Sequence, residues 1–211
     1  MKCAKPDPTR WAGRIVVVAA PGPSLTEDVA DACKGFPTIV VNNAWQRMPW
    51  ADILFACDTA WWHFHRGAAG FGGERWSSHG TSNDKHDVWQ AYGIHCIAGQ
   101  HGAEFSTVPG QINYGSNSGF QAVNLAIQFG ASRIVLVGFN MQSVGGKSHF
   151  HGDHPKGLRN ADPRRFLTYF NQAAKKMPAG VEVINATPDS LLTCFPKMSL
   201  DEALHGKAVA P

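Results

Sequence analysis

An α/β domain built on an open, mostly parallel sheet with helices on both faces is the fold class this sequence predicts, and three observations carry it. Arg14 to Ala20 (RIVVVAA) is an unbroken apolar run rich in β-branched residues. A strand with one solvated face would alternate, so this one is covered on both. Strand-like and helix-like runs then alternate along the chain instead of being joined by hairpin turns. Finally, 211 residues, 44% of them hydrophobic and 17% charged, are enough for one substantial core but short of the eight units of a closed barrel. A single domain over 1–211 is expected.

The elements follow in order. Pro21-Gly22-Pro23 stops the first strand, and Ser24-Leu25-Thr26-Glu27 has the S-x-x-E form of a capping box, predicting a helix capped by Ser24 and Glu27. Thr38 to Val41 is the second strand, closed by Asn42-Asn43, and Ile53 to Ala56 the third, closed by Cys57-Asp58. From Gly67 to Lys85, glycine, serine and histidine without periodicity predict a long loop, read as a lid or substrate loop. A short strand covers Ile94 to Ala98. Ser118 to Phe129 reads as a helix stopped by Gly130. Its apolar residues run almost all round (Phe120, Ala122, Val123, Leu125, Ala126, Ile127), so it packs on the sheet and shows only its N-terminus. Ile134 to Val137 is the next strand. A His-rich loop around 143–158 precedes an amphipathic helix from Pro163 to Lys176, and Val181 to Ile184 is the last strand. Alternation of this kind defines a Rossmann-like sheet.

Composition narrows the function classes. No apolar run approaches the roughly 20 residues that cross a bilayer, so no membrane partner is expected. Met1 to Gly13 has no apolar core of a secretory leader. Five cysteines without a C-x-x-C pair fit reduced thiols. A soluble protein is expected, with the cytoplasm as its default location. A formal charge of +3 is too weak to argue for nucleic acid. Ten histidines and seven tryptophans, many in polar, Gly-rich stretches, direct attention to those stretches.

In an open α/β sheet the ligand crevice lies beyond the carboxyl ends of the strands, where Pro21 to Ser24, Asn42-Asn43 and Asp58 would converge. Amides at a helix start can hold phosphate, with Gly22, Pro23 and Ser24 forming the first such turn, although the full G-x-G-x-x-G is absent. Asn117, Ser118 and Gly119 form a second turn, richer in polar groups than a bare N-cap needs. Trp61-Trp62-His63-Phe64-His65 reads equally as a stacking platform or as the start of a core-packing helix. His149-Phe150-His151-Gly152-Asp153-His154 is the densest chemistry. Its H-x-H-x-D-H spacing formally matches the metallo-β-lactamase metal motif, but His205 is the only histidine beyond it to complete such a site. The more economical use is acid/base chemistry, with His149 or His154 taking a proton and Asp153 orienting the ring, and with no metal ligand assigned.

The G-P-S-L turn, Asn43, Asp58 and the block N-S-G-F-Q-A-V-N-L-A-I-Q-F-G-A-S-R-I-V-L-V-G-F-N-M together resemble the family 42 sialyltransferase-like fold. That group is similar to hydroxymethylpterin pyrophosphokinases of archaeal type, to flagellin-glycosylation factors and, most closely for this chain, to uncharacterised phage proteins. The resemblance implies a cytidine-nucleotide sugar held by the G-P-S-L turn, Asn43, Asp58, Ser118 and Gly119, no required metal cofactor, and a late histidine as base. Pro21 and Asp58 stand where the sialyltransferases carry Asn, which argues against a sialic acid donor. The expectation is a metal-independent glycosyltransferase taking a nucleotide-sugar donor. The alternatives are a Mg-dependent diphosphotransferase or a non-catalytic nucleotide-binding phage protein. The acceptor and any homo-oligomer are left open.

Overall fold

A computed structural model describes residues 3–79, 84–158 and 161–206. Its centre is one eight-stranded sheet in the order β6-β5-β4-β3-β2-β1-β7-β8, with every neighbouring pair parallel. The strands are β1 (Ile15–Ala19), β2 (Thr38–Val41), β3 (Ile53–Phe55), β4 (Glu74–Ser78), β5 (His95–Gln100), β6 (Gln111–Asn113), β7 (Arg133–Val137) and β8 (Glu182–Asn185). The helices are α1 (Glu27–Ala32), α2 (Thr59–Phe64), α3 (Asp84–Ala91), α4 (Ser118–Gln128), α5 (Leu167–Ala174) and α6 (Leu200–His205). The expected open α/β sheet is present.

Alternation within the strands divides the core into two layers. Val16 and Val18 of β1, Ile39 and Val41 of β2, and Ile134 and Leu136 of β7 face α4 and α5. Val17, Ala19, Val40, Val135 and Val137 face α1, α2, α3 and α6. Both faces are therefore apolar, which is why the strands read as unbroken runs. Helix α4 is buried almost throughout, from Ser118 to Ala126, as its all-round apolar pattern requires.

Four elements escaped the sequence pattern. The stretch read as a loop over 67–85 contains β4 and the start of α3, with 80–83 outside the described residues. β4 reads E-R-W-S-S, and its place between β3 and β5 supplies what its propensity does not. β6 has three residues and α6 six, too few for periodicity to show. Two boundaries also move. The cap of α1 is Thr26, whose Oγ1 accepts from the Val29 amide, while the Ser24 hydroxyl donates to Asn140 Oδ1 at 2.8 Å. Tertiary contact takes Ser24 away from the helix. The segment 163–166 is a 3₁₀ turn in which Asp162 accepts from the Arg164 amide, so α5 begins at Leu167. Among the described residues no helix is long and apolar enough to cross a membrane.

Candidate functional site

Strand order reverses at β1, which lies between β2 and β7 and makes their carboxyl ends the place to look for a ligand. Here the two emerging loops are stitched together. The Ala20 amide donates to Val137 O, that of Gly22 to Gly138 O, and that of Phe150 to Pro21 O, at 2.9, 3.1 and 3.0 Å. The Ser24 amide donates to Asn140 Oδ1, the Leu25 amide to Gly22 O and the Thr26 amide to Ser24 O. Pro21 and Pro23 have no amide hydrogen. Every N–H from Gly22 to Thr26 is thus engaged inside the protein, and the G-P-S-L turn forms a wall rather than the expected amide cradle. Gly22 is small for the same reason: a Cβ there would lie 2.1 Å from Gly138 O and 2.4 Å from Asn140 Oδ1.

The second turn differs. Asn117 caps α4 by accepting from the Phe120 amide at 2.8 Å, and the Gln121 amide donates to Asn117 O. The amides of Ser118 and Gly119 make no hydrogen bond among the described residues. They are the donors an α-helix leaves over at its positive end. The Ser118 hydroxyl accepts from the Cys57 amide and donates to Cys57 Sγ, both at 3.1 Å, tying the end of β3 to α4.

These amides border a cavity of about 130 Å³ lined by Gly22, Asn42, Asn117, Ser118, Gly119, Asn140 and His149, among others. It runs into a cleft of about 470 Å³ bounded by Ser143, Asp162, Arg164 and Leu191, and both spaces share Gln142, Ser148, His149 and Pro163. The two turns therefore do meet on one hollow. A larger depression of about 610 Å³ lies around Asp52, Glu74 and His95. It sits at the amino ends of β3, β4 and β5, the wrong edge of a parallel sheet for a ligand crevice.

At the end of β2 the two asparagines divide the work. Asn43 is buried, and its Oδ1 accepts from Trp61 Nε1 at 2.7 Å. Asn42, held at φ +47°, is the one that lines the cavity, and its Oδ1 is buried without a partner among the described residues. Asn43→Ala is expected to cost about 1–3 kcal/mol, because it orphans a buried indole N–H. Nucleotide affinity should stay within about threefold. Urea unfolding read beside a binding titration separates the two effects. Trp61 and Trp62 are core residues, which decides the aromatic cluster in favour of packing.

The loop after β7 carries the imidazoles. Ring centroids lie 5.0 Å apart for His149 and His151, 4.6 Å for His149 and His154, and 5.1 Å for His151 and His154. Burial is the main cause holding His149 below the usual imidazole range, with His154 second, against opposing pulls from Gly152 and Asp153. Burial, then His149, His154 and His65, push His151 down to about 4. Burial also lowers His154, while Asp153 and Asp58 raise it. His65, seated on the Trp61 ring at 4.3 Å, is lowered by burial and by His154. The rings are neutral near pH 7 and keep a lone pair. Among the described residues His149 Nδ1, His151 Nε2 and His65 Nε2 are buried without a partner, each at a cost of about 1–3 kcal/mol if nothing satisfies it.

The structure thus gathers Gly22, Asn117, Ser118, Gly119 and His149 on one cavity and places Asp58 and Asp153 in electrostatic reach of His154. Pro23, Ser24 and Asn43 support it from behind. Asn140, His65 and His151 were missed as site residues. Asn140 is a lone polar residue at the end of an apolar strand, a signal of the same kind as Asn42.

No protein-family profile matches this chain, and no curated protein does. Among solved structures it is similar to the MAf glycosyltransferase from Magnetospirillum magneticum AMB-1, with a TM-score of 0.65 at 11% identity. The match covers 94% of this chain and 36% of that one, so this chain spans about a third of that protein's length. The likeness is one of fold.

Proposed function

We propose that this chain is a transferase that binds a nucleotide-activated donor, in kind a glycosyltransferase, at the N-terminus of α4. The observation that carries the reading is the pair of unengaged amides at Ser118 and Gly119 opening on a cavity that His149 also lines. Two N–H groups at the positive end of an eleven-residue helix suit the phosphate oxygens of the donor. Asn42 adds a side-chain amide on the cavity wall whose NH2 can donate to the same anion, and whose oxygen, without a partner among the described residues, can accept from a donor hydroxyl. The inner cavity is the size of a phosphate-bearing group, and the outer cleft has room for the remainder of a donor or for an acceptor.

In this reading His149 takes the proton of an acceptor hydroxyl as its oxygen attacks the anomeric carbon. The bond from that carbon to the phosphate oxygen breaks, and the Ser118 and Gly119 amides stabilise the charge that the leaving phosphate gains. Asp153 favours the imidazolium that results. The phosphates are held by amides and need no bridging cation. The chain shares its fold with about a third of a protein described as a glycosyltransferase, the MAf glycosyltransferase, which supports the reading by analogy alone.

Asn42→Asp places a carboxylate against the phosphate at constant size and in a backbone conformation that Asp tolerates. Affinity for the donor is expected to fall at least about tenfold, on the order of 1.4 kcal/mol, with little change in stability. The measurement is calorimetric titration with the nucleotide or sugar nucleotide that most raises the melting temperature of the chain. Equal affinity in the variant places the phosphate elsewhere. Binding that disappears in EDTA favours a Mg-dependent diphosphotransferase instead.

A further inference from the structure

One feature of the carboxyl edge exceeds what a single proton acceptor requires. Three imidazoles from one six-residue stretch turn toward each other, and one nitrogen from each of His149, His151 and His154 lies within 4.8 Å of the other two. The loop is shaped to allow it, since Gly152 at φ +83° bends the chain and returns His154 to the rings before it. A fourth imidazole, His65 at the end of α2, comes from a distant part of the chain to the same place. Among the described residues, buried ring nitrogens on His149, His151 and His65 have no protein partner. Buried polar atoms in native proteins are nearly always satisfied, so these nitrogens point to a bound group.

We propose that His149, His151 and His154 bind a divalent transition metal ion of the zinc type beside the donor cavity.

Neutral imidazole nitrogens favour zinc, cobalt, nickel or copper over magnesium or calcium, which take oxygen ligands. Zinc–nitrogen bonds of about 2.0–2.1 Å put tetrahedral ligands roughly 3.4 Å apart, so nitrogens within 4.8 Å of one another must close by up to about 1.4 Å. They stand in a loop without helix or strand, where side-chain rotation achieves this. Three protein ligands with an open fourth position form the catalytic type of zinc site. Because His149 belongs both to the cluster and to the cavity wall, an ion held there would lie beside the donor cavity. An ion held there would make a bound water more acidic, and with His149 engaged as a ligand that water would supply the proton acceptor. Metal binding stands on the imidazoles alone, and only this catalytic role rests on the donor reading.

The test uses the full chain stripped with EDTA and titrated with Zn²⁺ or Co²⁺, with Mg²⁺ as control. Expected are one equivalent of Zn²⁺ bound, a higher melting temperature with Zn²⁺ but not with Mg²⁺, and the intense visible absorption of four- or five-coordinate Co²⁺. His151→Ala, which leaves the donor cavity lining intact, should weaken Zn²⁺ at least about 100-fold, and His154→Gln should do the same. Donor affinity, measured in EDTA, should be unchanged in His151→Ala. Absence of Zn²⁺ binding, a pale octahedral Co²⁺ spectrum in the parent chain, or parental Zn²⁺ affinity in both variants overturns the metal site and leaves the donor site standing. Zinc binding without any nucleotide binding overturns the donor reading and leaves the metal site standing.

Discussion

Replacing His149 with alanine is expected to lower the rate of nucleotide release from the donor by roughly 10²–10⁴-fold while the donor still binds. The expectation rests on position: among the three clustered histidines, His149 is the one that lines both the inner cavity and the outer cleft. The amides that hold phosphate belong to another element, α4, so removing the ring leaves them in place. A loss confined to turnover marks an interaction made in the transition state, whereas a rise in KM alone would make His149 a binding residue. A wild-type chain that binds donor and never releases product would support the non-catalytic alternative. Steady-state turnover paired with calorimetric donor titration distinguishes these results.

Gly138→Ala is expected to be the most damaging single-methyl change at the carboxyl edge. Gly138 stands at φ +73°, and a Cβ there would lie 2.0 Å from Ala20 O and 3.2 Å from Leu25 Cβ. Strain in the left-handed region and a clash with rigid backbone add, for a cost of about 3 kcal/mol. The melting temperature should fall by roughly 6–12 °C for a domain of this size. Gly145, at φ +58° but with nothing within 4 Å of its Cβ position, supplies the control. Its alanine variant pays for conformation alone, about 1 kcal/mol. If the two variants melt together, the loops after β1 and β7 are not stitched as described. Because Gly138 and Gly22 hold each other's backbone, Gly138→Ala should also weaken the donor through the displaced cavity wall.

Much of the site was legible as a set of strand ends and only partly as a set of contacts. The convergence of Pro21 to Ser24, Asn42-Asn43 and Asp58 on one edge follows from β1, β2 and β3 being parallel neighbours, which their apolar runs announce. The role of each residue does not follow. Asn42 and Asn43 are adjacent and chemically identical, yet one faces the cavity and the other anchors Trp61. Ser24 has the spacing of a helix cap and instead serves Asn140, more than a hundred residues away in sequence. The H-x-H-x-D-H spacing was visible from the start, but His65 joins it only because α2 and the loop after β7 meet in space.

By itself, the sequence determined the layered α/β architecture, the helix over 118–128 with its polar entrance, and the segment in which the histidines lie. These depend on burial patterns and capping chemistry local to each stretch, and local patterns survive without knowledge of what packs against them. Tertiary structure alone decided which helix start keeps its amides. The first loses them to hydrogen bonds between loops far apart in sequence, and the second retains two because no backbone carbonyl reaches them. Hydrogen bonding saturates, so whether a donor remains for a ligand depends on every neighbour it meets, and those neighbours are named only by the fold.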